Sequence, residues 1–576
     1  VPAWTRSSLL QPAIAAKSTI EPECWLVFAD DHGLGDQLGQ SLQEAGHTIV
    51  TVKVGDRFNC PQATAVEADK HHYTYRLNPT QLEDYSSLFQ ALQQANLTPT
   101  NVLHLWSINS SKQLLTLAIE DFQTMQHLGL YSLMCLAQVM DKQTNQTHPL
   151  HITAIANQIQ LVNGDEKLHP EQATLLAAIK VIPQEYENIS CRLLDIDLPD
   201  NNQSVASERI SQLFKEITTS SKEAIVAYRG HHRWLPIFKE TPLKSIEDGQ
   251  TRFKHHGVYL ITGGFGYIGS LIAEHLAHTV QAKLILTGRS DLPVREAWAE
   301  WLATHDNEPD IISREIRKIQ SLEALGSEVL AIPADVADLQ QMQDALDQAE
   351  QIFGPINGVI HAAGLNTSEG DLTLIEAGVN QDQFEQNFRP KVYGSWVLNQ
   401  VLQDKELDFC LLISSLSSVL GGKGTIDYTA AMFFVDAFTH WHNQQSAMPW
   451  ITTNWGFWKV GEAEASRQFL AQNWGELGLM PQEGIEALER ILIWENLNQV
   501  LISPGHLREM VCQWGRSDSI KDDIAQPVNT LVQYARPNLK NAYIAPSTEL
   551  EHKLADIFQS ILGFAPIGIH DNFFYL

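Results

Sequence analysis

The chain has 576 residues, enough for about two to four domains. Its 39 Lys and Arg against 68 Asp and Glu give a formal net charge of −29, which opposes general attraction to nucleic acid or to an anionic membrane. Hydrophobic residues at 44% and charged residues at 19% are typical of a folded protein, and no run approaches the roughly 18 apolar residues of a membrane span. Residues 1–17 lack the apolar core of a signal peptide. We therefore expect a cytoplasmic protein without a nucleic-acid or membrane partner.

The cysteines have no spacing typical of a metal site or of a disulfide framework. They are Cys24, Cys60, Cys135, Cys191, Cys410 and Cys512. We expect buried free thiols and no bound metal.

The first half opens at Cys24 with an apolar strand, a glycine-bearing turn and a helical pattern. Two acidic residues, Asp30 and Asp31, precede the glycines and would repel a pyrophosphate, so a nucleotide is disfavoured there. Further strand-like runs, NVLHLW, LHITAIA and EAIVAYRG, alternate with helical patterns and predict an α/β fold. We expect the strand that leaves this half, residues 224–238, to pair across to the second half.

The second half repeats the opening with a strand at 258–261, a glycine turn and an amphipathic helix. Strand candidates follow at helix-length intervals, namely KLILTGR, EVLAIPADVAD, NGVIHAAG, DFCLLISS and WITTNWG. This alternation predicts a parallel sheet with helices on both faces, and residues 291–325 are typical of a helical insertion.

The glycine turn of the second half is a candidate dinucleotide site. Gly264, Gly266 and Gly269 have the spacing G-x-G-x-x-G between a strand and a helix, where a backbone approaches phosphate closely. The next strand ends at Arg289, where an arginine favours a 2′-phosphate and hence NADPH over NADH; a solvated arginine is the alternative. Asp335 follows a later strand and is a candidate acceptor for an adenine amino group, or an ordinary strand-end cap.

Reduction of a ketone by hydride leaves negative charge on oxygen, so the site needs a proton donor, a second hydrogen bond and a group that lowers the pKa of the donor. Tyr428, Ser415 and Lys391 are the candidates. An ammonium near a phenol favours the phenolate and lowers its pKa from about 10.

At these residues the sequence resembles the short-chain dehydrogenase/reductase superfamily and, more closely, the ketoreductase regions of modular polyketide synthases. The motifs that carry the resemblance are TGGFGYIG (262–269), TGRS (287–290), ADVAD (334–338), HAAG (361–364), RPKVYGSWVL (389–398), ISSLSSVLGGKGTIDYTAA (413–431) and NWG (454–456).

The resemblance implies roles for these residues. Tyr428 looks like the proton donor, Ser415 the hydroxyl that orients the carbonyl, and Lys391 the lysine of the proton relay. The implied cofactor-binding residues are Thr262, Gly264, Phe265, Gly266, Tyr267, Ile268, Gly269, Arg289, Ser290, Asp335, Val336, Ala363 and Gly364. The implied architecture is two Rossmann-like lobes, a degenerate structural subdomain at 1–245 and a catalytic, NADPH-binding subdomain at 246–515.

Met432 departs from the family pattern. Polyketide ketoreductases usually have Asn four residues after the tyrosine, and a thioether can neither donate a proton nor replace an amide in a water relay. We expect reduction with a slower or rerouted proton supply; the alternative is a pseudo-ketoreductase that serves as a scaffold.

The C-terminal residues provide a clue to the substrate. Residues 516–544 are polar and typical of a linker, and residues 545–576 resemble the start of an acyl carrier domain whose first helix is capped by Ser547. The expected reaction is NADPH-dependent reduction of a β-keto acyl thioester to the β-hydroxy product. The expected partners are a carrier domain that holds this substrate on phosphopantetheine and the other modules of the same synthase. An α-keto acyl reductase of a peptide synthetase is a further alternative.

Overall fold

The computed structural model describes residues 1–8, 22–59, 72–108, 119–144, 149–198, 207–219, 221, 223–243, 252–305, 310–364, 374–378, 380–459, 478–494, 497–514, 534–535, 544–562 and 564–570. The chain divides into two compact units, Val1–Gly515 and Arg516–Leu576. The first unit contains two large sheets, and we call each sheet with its helices a lobe.

The first lobe is built on a nine-stranded sheet. Its strands are β1 (Pro2–Ser7), β2 (Cys24–Phe28), β3 (Thr48–Val54), β4 (His72–Leu77), β5 (Asn101–His104), β6 (Leu150–Asn157), β7 (Ile189–Ile196), β8 (Ile225–Arg229) and β9 (His232–Phe238). They lie in the order β1-β9-β8-β7-β6-β5-β2-β3-β4, and β2 to β8 run parallel. The strands predicted around residues 24, 101, 150 and 225 are therefore confirmed.

The helices of the first lobe connect these strands. They are α1 (Leu34–Glu44), α2 (Leu82–Gln94), α3 (Ile119–Leu128), α4 (Leu130–Thr144), α5 (Leu175–Glu185) and α6 (Ser207–Thr218). In α1, the buried side chains Leu34, Leu38 and Leu42 recur every fourth residue, which places them on one face of the helix.

The second lobe has a seven-stranded sheet in which every pair is parallel. Its strands are β10 (Val258–Thr262), β11 (Lys283–Gly288), β12 (Glu328–Pro333), β13 (Gly358–His361), β14 (Phe409–Ser415), β15 (Trp450–Trp455) and β16 (Gln499–Ile502). The order β12-β11-β10-β13-β14-β15-β16 repeats the order of β2 to β8. This topology confirms two Rossmann-like lobes, and it opens a crevice where the order reverses, at the carboxyl ends of β10 and β13.

The helices of the second lobe lie between these strands and after the last one. They are α7 (Tyr267–Val280), α8 (Trp298–Thr304), α9 (Ile311–Ala324), α10 (Leu339–Phe353), α11 (Gln381–Phe388), α12 (Gly394–Val401), α13 (Ser417–Leu420), α14 (Ile426–Asn443), α15 (Pro481–Ile493) and α16 (Leu507–Trp514). Helices α8 and α9 confirm the predicted helical insertion.

The two lobes share a hydrophobic core. Helix α5 of the first lobe packs along α14 of the second. The Phe122 ring of α3 lies 5.4 Å from the Phe388 ring and 5.6 Å from the Phe434 ring, both in the second lobe and both edge-on. Such aromatic contacts add to the apolar area that the lobes bury against each other.

The prediction that residues 224–238 pair across to the second half is wrong. Within this segment β8 and β9 form an antiparallel hairpin, and β9 then pairs with β1, so the whole segment belongs to the first sheet. Phe238 at the end of β9 does pack across to the second lobe, against the apolar cluster that includes Leu416 and Met510.

In the second unit, the described residues form helix α17 (Glu549–Leu562) and two short parallel strands, β17 (Tyr534–Ala535) and β18 (Phe564–Ala565).

The N-cap of α17 was predicted at Ser547 and lies one residue later, at Thr548. The Thr548 hydroxyl accepts the Glu551 amide at 3.3 Å, and the Glu551 carboxylate accepts the Thr548 amide at 2.9 Å. This reciprocal pair is a capping box. Most of the predicted linker at 516–544 lies outside the described residues.

No helix among the described residues has both the length and the apolar character needed to cross a bilayer.

Candidate active site

The glycine turn after β10 requires its glycines for close packing. Gly263 has φ +68°, and a Cβ there would lie 2.6 Å from the Ala363 Cα. A Cβ on Gly269 would lie 2.4 Å from the Gly263 carbonyl oxygen. Both distances are far inside van der Waals contact, so side chains at these positions would separate β10, the end of β13 and helix α7.

The start of α7 fits an external phosphate. Its N-cap residue, Gly266, has no side-chain acceptor, so no side chain caps the first amides of this helix in the described structure. Uncapped amides at a helix N-terminus are suited to bind an anion. The site therefore fits the pyrophosphate of a dinucleotide.

The corresponding turn of the first lobe is different, because Asp30 occupies it. The Asp30 carboxylate accepts the amides of Gly35 at 2.6 Å, His32 at 2.9 Å and Leu34 at 3.3 Å. The amides that would face a phosphate at the start of α1 are thus already paired within the chain.

Several predicted cofactor residues use their side chains inside the protein. Thr262 is fully buried, and its hydroxyl lies 2.7 Å from His361 Nδ1. Val336 is buried against Gly394, where an added Cβ would lie 2.9 Å from the valine. These side chains shape the crevice, and only their backbone groups are left for a ligand.

At the far end of the predicted cofactor site, Arg289 is exposed and Ser290 donates a hydrogen bond to Glu315 at 3.0 Å. Asp335 accepts the Ala337 amide at 2.9 Å and the Arg389 guanidinium at 2.7 Å. Burial alone would raise the pKa of Asp335, but these two donors outweigh it and the pKa lies below its ordinary value.

Lys391 lies in a single π-helical turn, Arg389–Tyr393, between α11 and α12. Such turns are frequent at functional sites. The side chain is buried, its ammonium donates to the Ile413 carbonyl at 2.7 Å, and it runs beneath Gly364, where a Cβ would lie 3.2 Å from the lysine Cε. Burial lowers the pKa of Lys391 to about 7.

Tyr428 and Ser415 are brought together by α14 and the end of β14. Burial raises the pKa of Tyr428, and a hydrogen bond with the Ser415 side chain opposes this rise. The expectation that Lys391 lowers the pKa of Tyr428 below its ordinary value is therefore wrong for this structure. The partner of the lysine is the Ile413 carbonyl, and burial dominates at the tyrosine.

Met432 lies one turn after Tyr428 on α14 and is 1% exposed. The position four residues after Tyr428 is thus occupied by an apolar, buried side chain.

A buried polar network beneath Ser415 was not predicted from the sequence. The Asn454 side-chain nitrogen of β15 donates to the Asp436 carboxylate at 2.7 Å, and it also lies 2.9 Å from the Ser418 hydroxyl and 3.1 Å from the Ser414 hydroxyl. Its amide also contacts the Ser415 carbonyl at 3.3 Å. Asp436 lies two turns after Tyr428 on α14, and this helical spacing is the sequence signal that could have indicated it.

The described cysteines Cys24, Cys135, Cys191 and Cys410 are free thiols; Cys24 is half-buried and the others are buried. No group of three or more His, Cys, Asp or Glu side chains in the described part of the chain is arranged to hold a metal ion.

Comparison with family models matches two parts of the chain. Residues 257–460 match the KR domain, and residues 23–216 match the family described as beta-ketoacyl synthase-like, N-terminal.

Curated relatives are very long polyketide synthases. Polyketide synthase PksM of Bacillus subtilis (strain 168) is 32% identical over 289 residues, which are 49% of this chain and 6% of that protein. The mycocerosic acid synthase-like polyketide synthase of Mycobacterium tuberculosis (strain ATCC 25618 / H37Rv) is 30% identical over 241 residues, 42% of this chain and 10% of that protein. The chain thus spans a small part of the curated relatives it matches.

Solved structures share the fold. An N-terminal ketoreductase from the macrolactin assembly line aligns with a TM-score of 0.68 at 23% identity, covering 90% of this chain and 93% of that one. A keto acid-selecting NRPS module with adenylation, ketoreductase and pseudo Asub parts aligns with a TM-score of 0.72 at 21% identity, covering 99% of this chain and 44% of that one. Residues 257–460, which carry Lys391, Ser415 and Tyr428, are therefore similar to the KR domain, in a chain that is similar in sequence to parts of polyketide synthases.

Proposed function

We propose that the chain is an NADPH-dependent ketoreductase that reduces a β-keto acyl thioester, held on an acyl carrier domain, to the β-hydroxy acyl thioester. The observation that carries the proposal is the placement of Ser415 at the carboxyl end of β14 and of Tyr428 beside it near the start of α14, at the edge of the sheet that also presents the glycine turn. Strand β14 is two strands from β10, about 10 Å at the usual spacing, so both groups face one crevice.

The cofactor would be held by the start of α7 and by the chain segments after β11, β12 and β13. A bound nicotinamide cofactor supplies the hydride that the carbonyl carbon accepts. The exposed guanidinium of Arg289 supports NADPH over NADH, because an arginine pairs well with a 2′-phosphate.

We assign the proton chemistry to Tyr428, Ser415 and Lys391. Tyr428 donates its phenolic proton to the carbonyl oxygen, and its raised pKa keeps this proton in place at neutral pH. Ser415 donates a second hydrogen bond that orients the carbonyl and stabilises the developing charge. Lys391, whose ammonium donates to the Ile413 carbonyl and whose side chain runs beneath Gly364, is assigned to return a proton towards the phenol.

The carrier domain and the other modules of a synthase are proposed as partners. The support is that the curated relatives are polyketide synthases and that residues 545–576 resemble the start of a carrier domain.

The test is oxidation of NADPH with a β-keto N-acetylcysteamine thioester. We expect the parent chain to oxidise NADPH and Tyr428→Phe to lose about 10²- to 10⁴-fold in kcat, since it lacks the proton donor. Tyr73→Phe, on β4 of the first lobe, is the matched control and keeps the parent rate. If Tyr428→Phe keeps the parent rate, Tyr428 is not the proton donor.

Met432→Asn separates the alternatives. A faster Met432→Asn variant would show that proton supply limits the parent, whereas activity only in Met432→Asn would mean a disabled ketoreductase. An α-keto thioester is assayed in parallel, because the fold shared with the keto acid-selecting module keeps an α-keto acyl substrate as the second candidate. If neither the parent chain nor any variant oxidises NADPH with either substrate, the result would favour a non-catalytic scaffold role for the chain.

A further inference from the structure

The loop that precedes the catalytic helix has little conformational preference of its own. Residues 421–424 read Gly-Gly-Lys-Gly, and Gly421 and Gly424 have φ +75° and +74°. Glycines in this region lose much conformational entropy when they are fixed. Helix α14 begins at Ile426, so the position of Tyr428 two residues later depends on what holds this loop.

Helix α5 of the other lobe holds the loop at both ends. The Gln184 side chain donates to the Leu420 carbonyl at 2.7 Å, and the Glu185 carboxylate accepts the Gly424 amide at 3.0 Å. A Cβ on Gly421 would lie 2.9 Å from the Gln184 side-chain nitrogen, so the loop lies directly against α5.

The second oxygen of Glu185 holds another segment of the catalytic lobe. It accepts the Ile375 amide at 2.8 Å, at the start of the 3₁₀ turn Ile375–Ala377. The carbonyl of Glu376 in this turn also accepts the Gln138 side chain of α4 at 3.1 Å. One carboxylate of the first lobe thus bridges the chain segments that follow β13 and β14, the strands that end at His361 and Ser415.

We infer that Glu185 is a positioning residue for the reaction, which fixes the start of the Tyr428 helix by bridging the amides of Gly424 and Ile375. The inference rests on the proposed function, and it gives the first lobe a specific part in the chemistry. A carboxylate suits this role, since a single charged group accepts both amides in short hydrogen bonds.

The test compares Glu185→Gln with Glu187→Gln. Glutamine has the same shape but accepts with only one oxygen and presents an NH₂ group to the second amide. Glu187 is exposed and lies just beyond the end of α5, so it is the matched control. We expect kcat to fall about tenfold in Glu185→Gln, the size of one lost charged hydrogen bond, with KM for NADPH unchanged.

The first decisive measurement is amide hydrogen exchange, which does not depend on turnover. Exchange that is at least tenfold faster at 421–425 and 375–377 in Glu185→Gln alone supports the structural part of the inference, that Glu185 holds these two segments, and this result is separate from the test of the proposed function by turnover. Equal exchange in the two variants overturns it. If Glu185→Gln does not fold, Glu185→Asp is measured in its place, because it keeps the charge but is too short to reach both amides.

The second measurement combines Glu185→Gln with Tyr428→Phe. Because Glu185 acts through Tyr428, its substitution should leave the residual rate of Tyr428→Phe unchanged within twofold. The same tenfold loss in both backgrounds would mean that Glu185 acts elsewhere and would overturn the inference.

Discussion

Asp436 is a buried carboxylate that has polar neighbours but no cation among the hydrogen-bond donors described for it. Burial raises its pKa to about 7, although hydrogen bonding with neighbouring polar side chains, among them the Asn454 amide at 2.7 Å, opposes the rise. Between pH 4 and 7 the folded chain therefore keeps a proton that the unfolded chain releases. The stabilisation from this group is complete below about pH 4, where both states are protonated, and is lost as the pH rises through 7.

The matching variant is Asp436→Asn, which removes this titration. We expect the stability of the parent relative to Asp436→Asn to fall with pH, by at most about 1.4 kcal/mol per unit between pH 4 and 7, and to level off above. Urea unfolding at several pH values measures this difference. Asp404→Asn, at an exposed position, is the control, and a pH-independent difference for Asp436→Asn would contradict the expectation.

Arg289 is the residue on which the choice of cofactor depends. We expect Arg289→Ala to raise KM for NADPH about 10- to 100-fold, the range for a charged hydrogen bond, and to leave KM for NADH unchanged. Steady-state kinetics with both cofactors test this. Arg490→Ala, which removes a half-buried arginine paired with Glu486, is the control, and equal changes for the two cofactors would mean that Arg289 does not bind the 2′-phosphate.

The proposed catalytic residues could be named as candidates from the sequence, because a ketone reduction needs these residue types and because they lie in motifs that resemble those of ketoreductases. Their electrostatics could not. The lowered pKa of Lys391 depends on its burial within a π-helical turn, and the raised pKa of Tyr428 depends on burial at the end of β14. Both are tertiary properties.

Glycine in the turn between β10 and α7 allows both a positive φ and a close approach of neighbouring elements. Gly263 and Gly33 both have positive φ, +68° and +84°, but an added Cβ meets the Ala363 backbone at Gly263 and nothing within 4 Å at Gly33. We expect Gly33→Ala to cost about 1 kcal/mol, from backbone strain alone. Gly263→Ala should cost at least about 2 kcal/mol more, because the strands must also separate.

Urea unfolding of both variants gives the two costs. Equal losses would mean that the close approach at Gly263 relaxes without penalty.

Elements with continuous apolar runs were predictable, and others were not. Strand β7 contains Arg192 and Asp195, whose ion pairs with Glu216 and Arg229 join it to distant parts of the chain. Strand β16 has only four residues. Strand β1 lies at the edge of its sheet, where it pairs with β9. A strand shows only a weak local sequence pattern when its charged residues form ion pairs with distant residues, or when its one neighbouring strand is far away in the chain.

At the scale of the molecule, the lobes should unfold together. Phe122 lies among aromatic rings of the second lobe, and α5 packs on α14, so neither lobe keeps its core without the other. We expect the slowest amides of β6 and β14 to report the same free energy of unfolding, within about 1 kcal/mol. Native-state hydrogen exchange measures both, and a lobe that opens several kcal/mol more easily would contradict the shared core.

The repeated architecture was visible in the sequence because both halves open with the same strand, turn and helix. The contact between the lobes was not, since it joins residues such as Phe122 and Phe434 that are far apart in the chain and carry no local signal.

In the first lobe, the Asp30 carboxylate takes the place that a bound phosphate would have, and it is covalently part of the chain. A domain that takes its anion from solution gains stability with ligand concentration, about 2.7 kcal/mol at a hundredfold excess over Kd, and loses it when the ligand is scarce. The first lobe has the equivalent bonds built in, through the Gly35, His32 and Leu34 amides. These three hydrogen bonds therefore do not depend on the supply of nucleotide, whereas those that the start of α7 would make to a bound dinucleotide do.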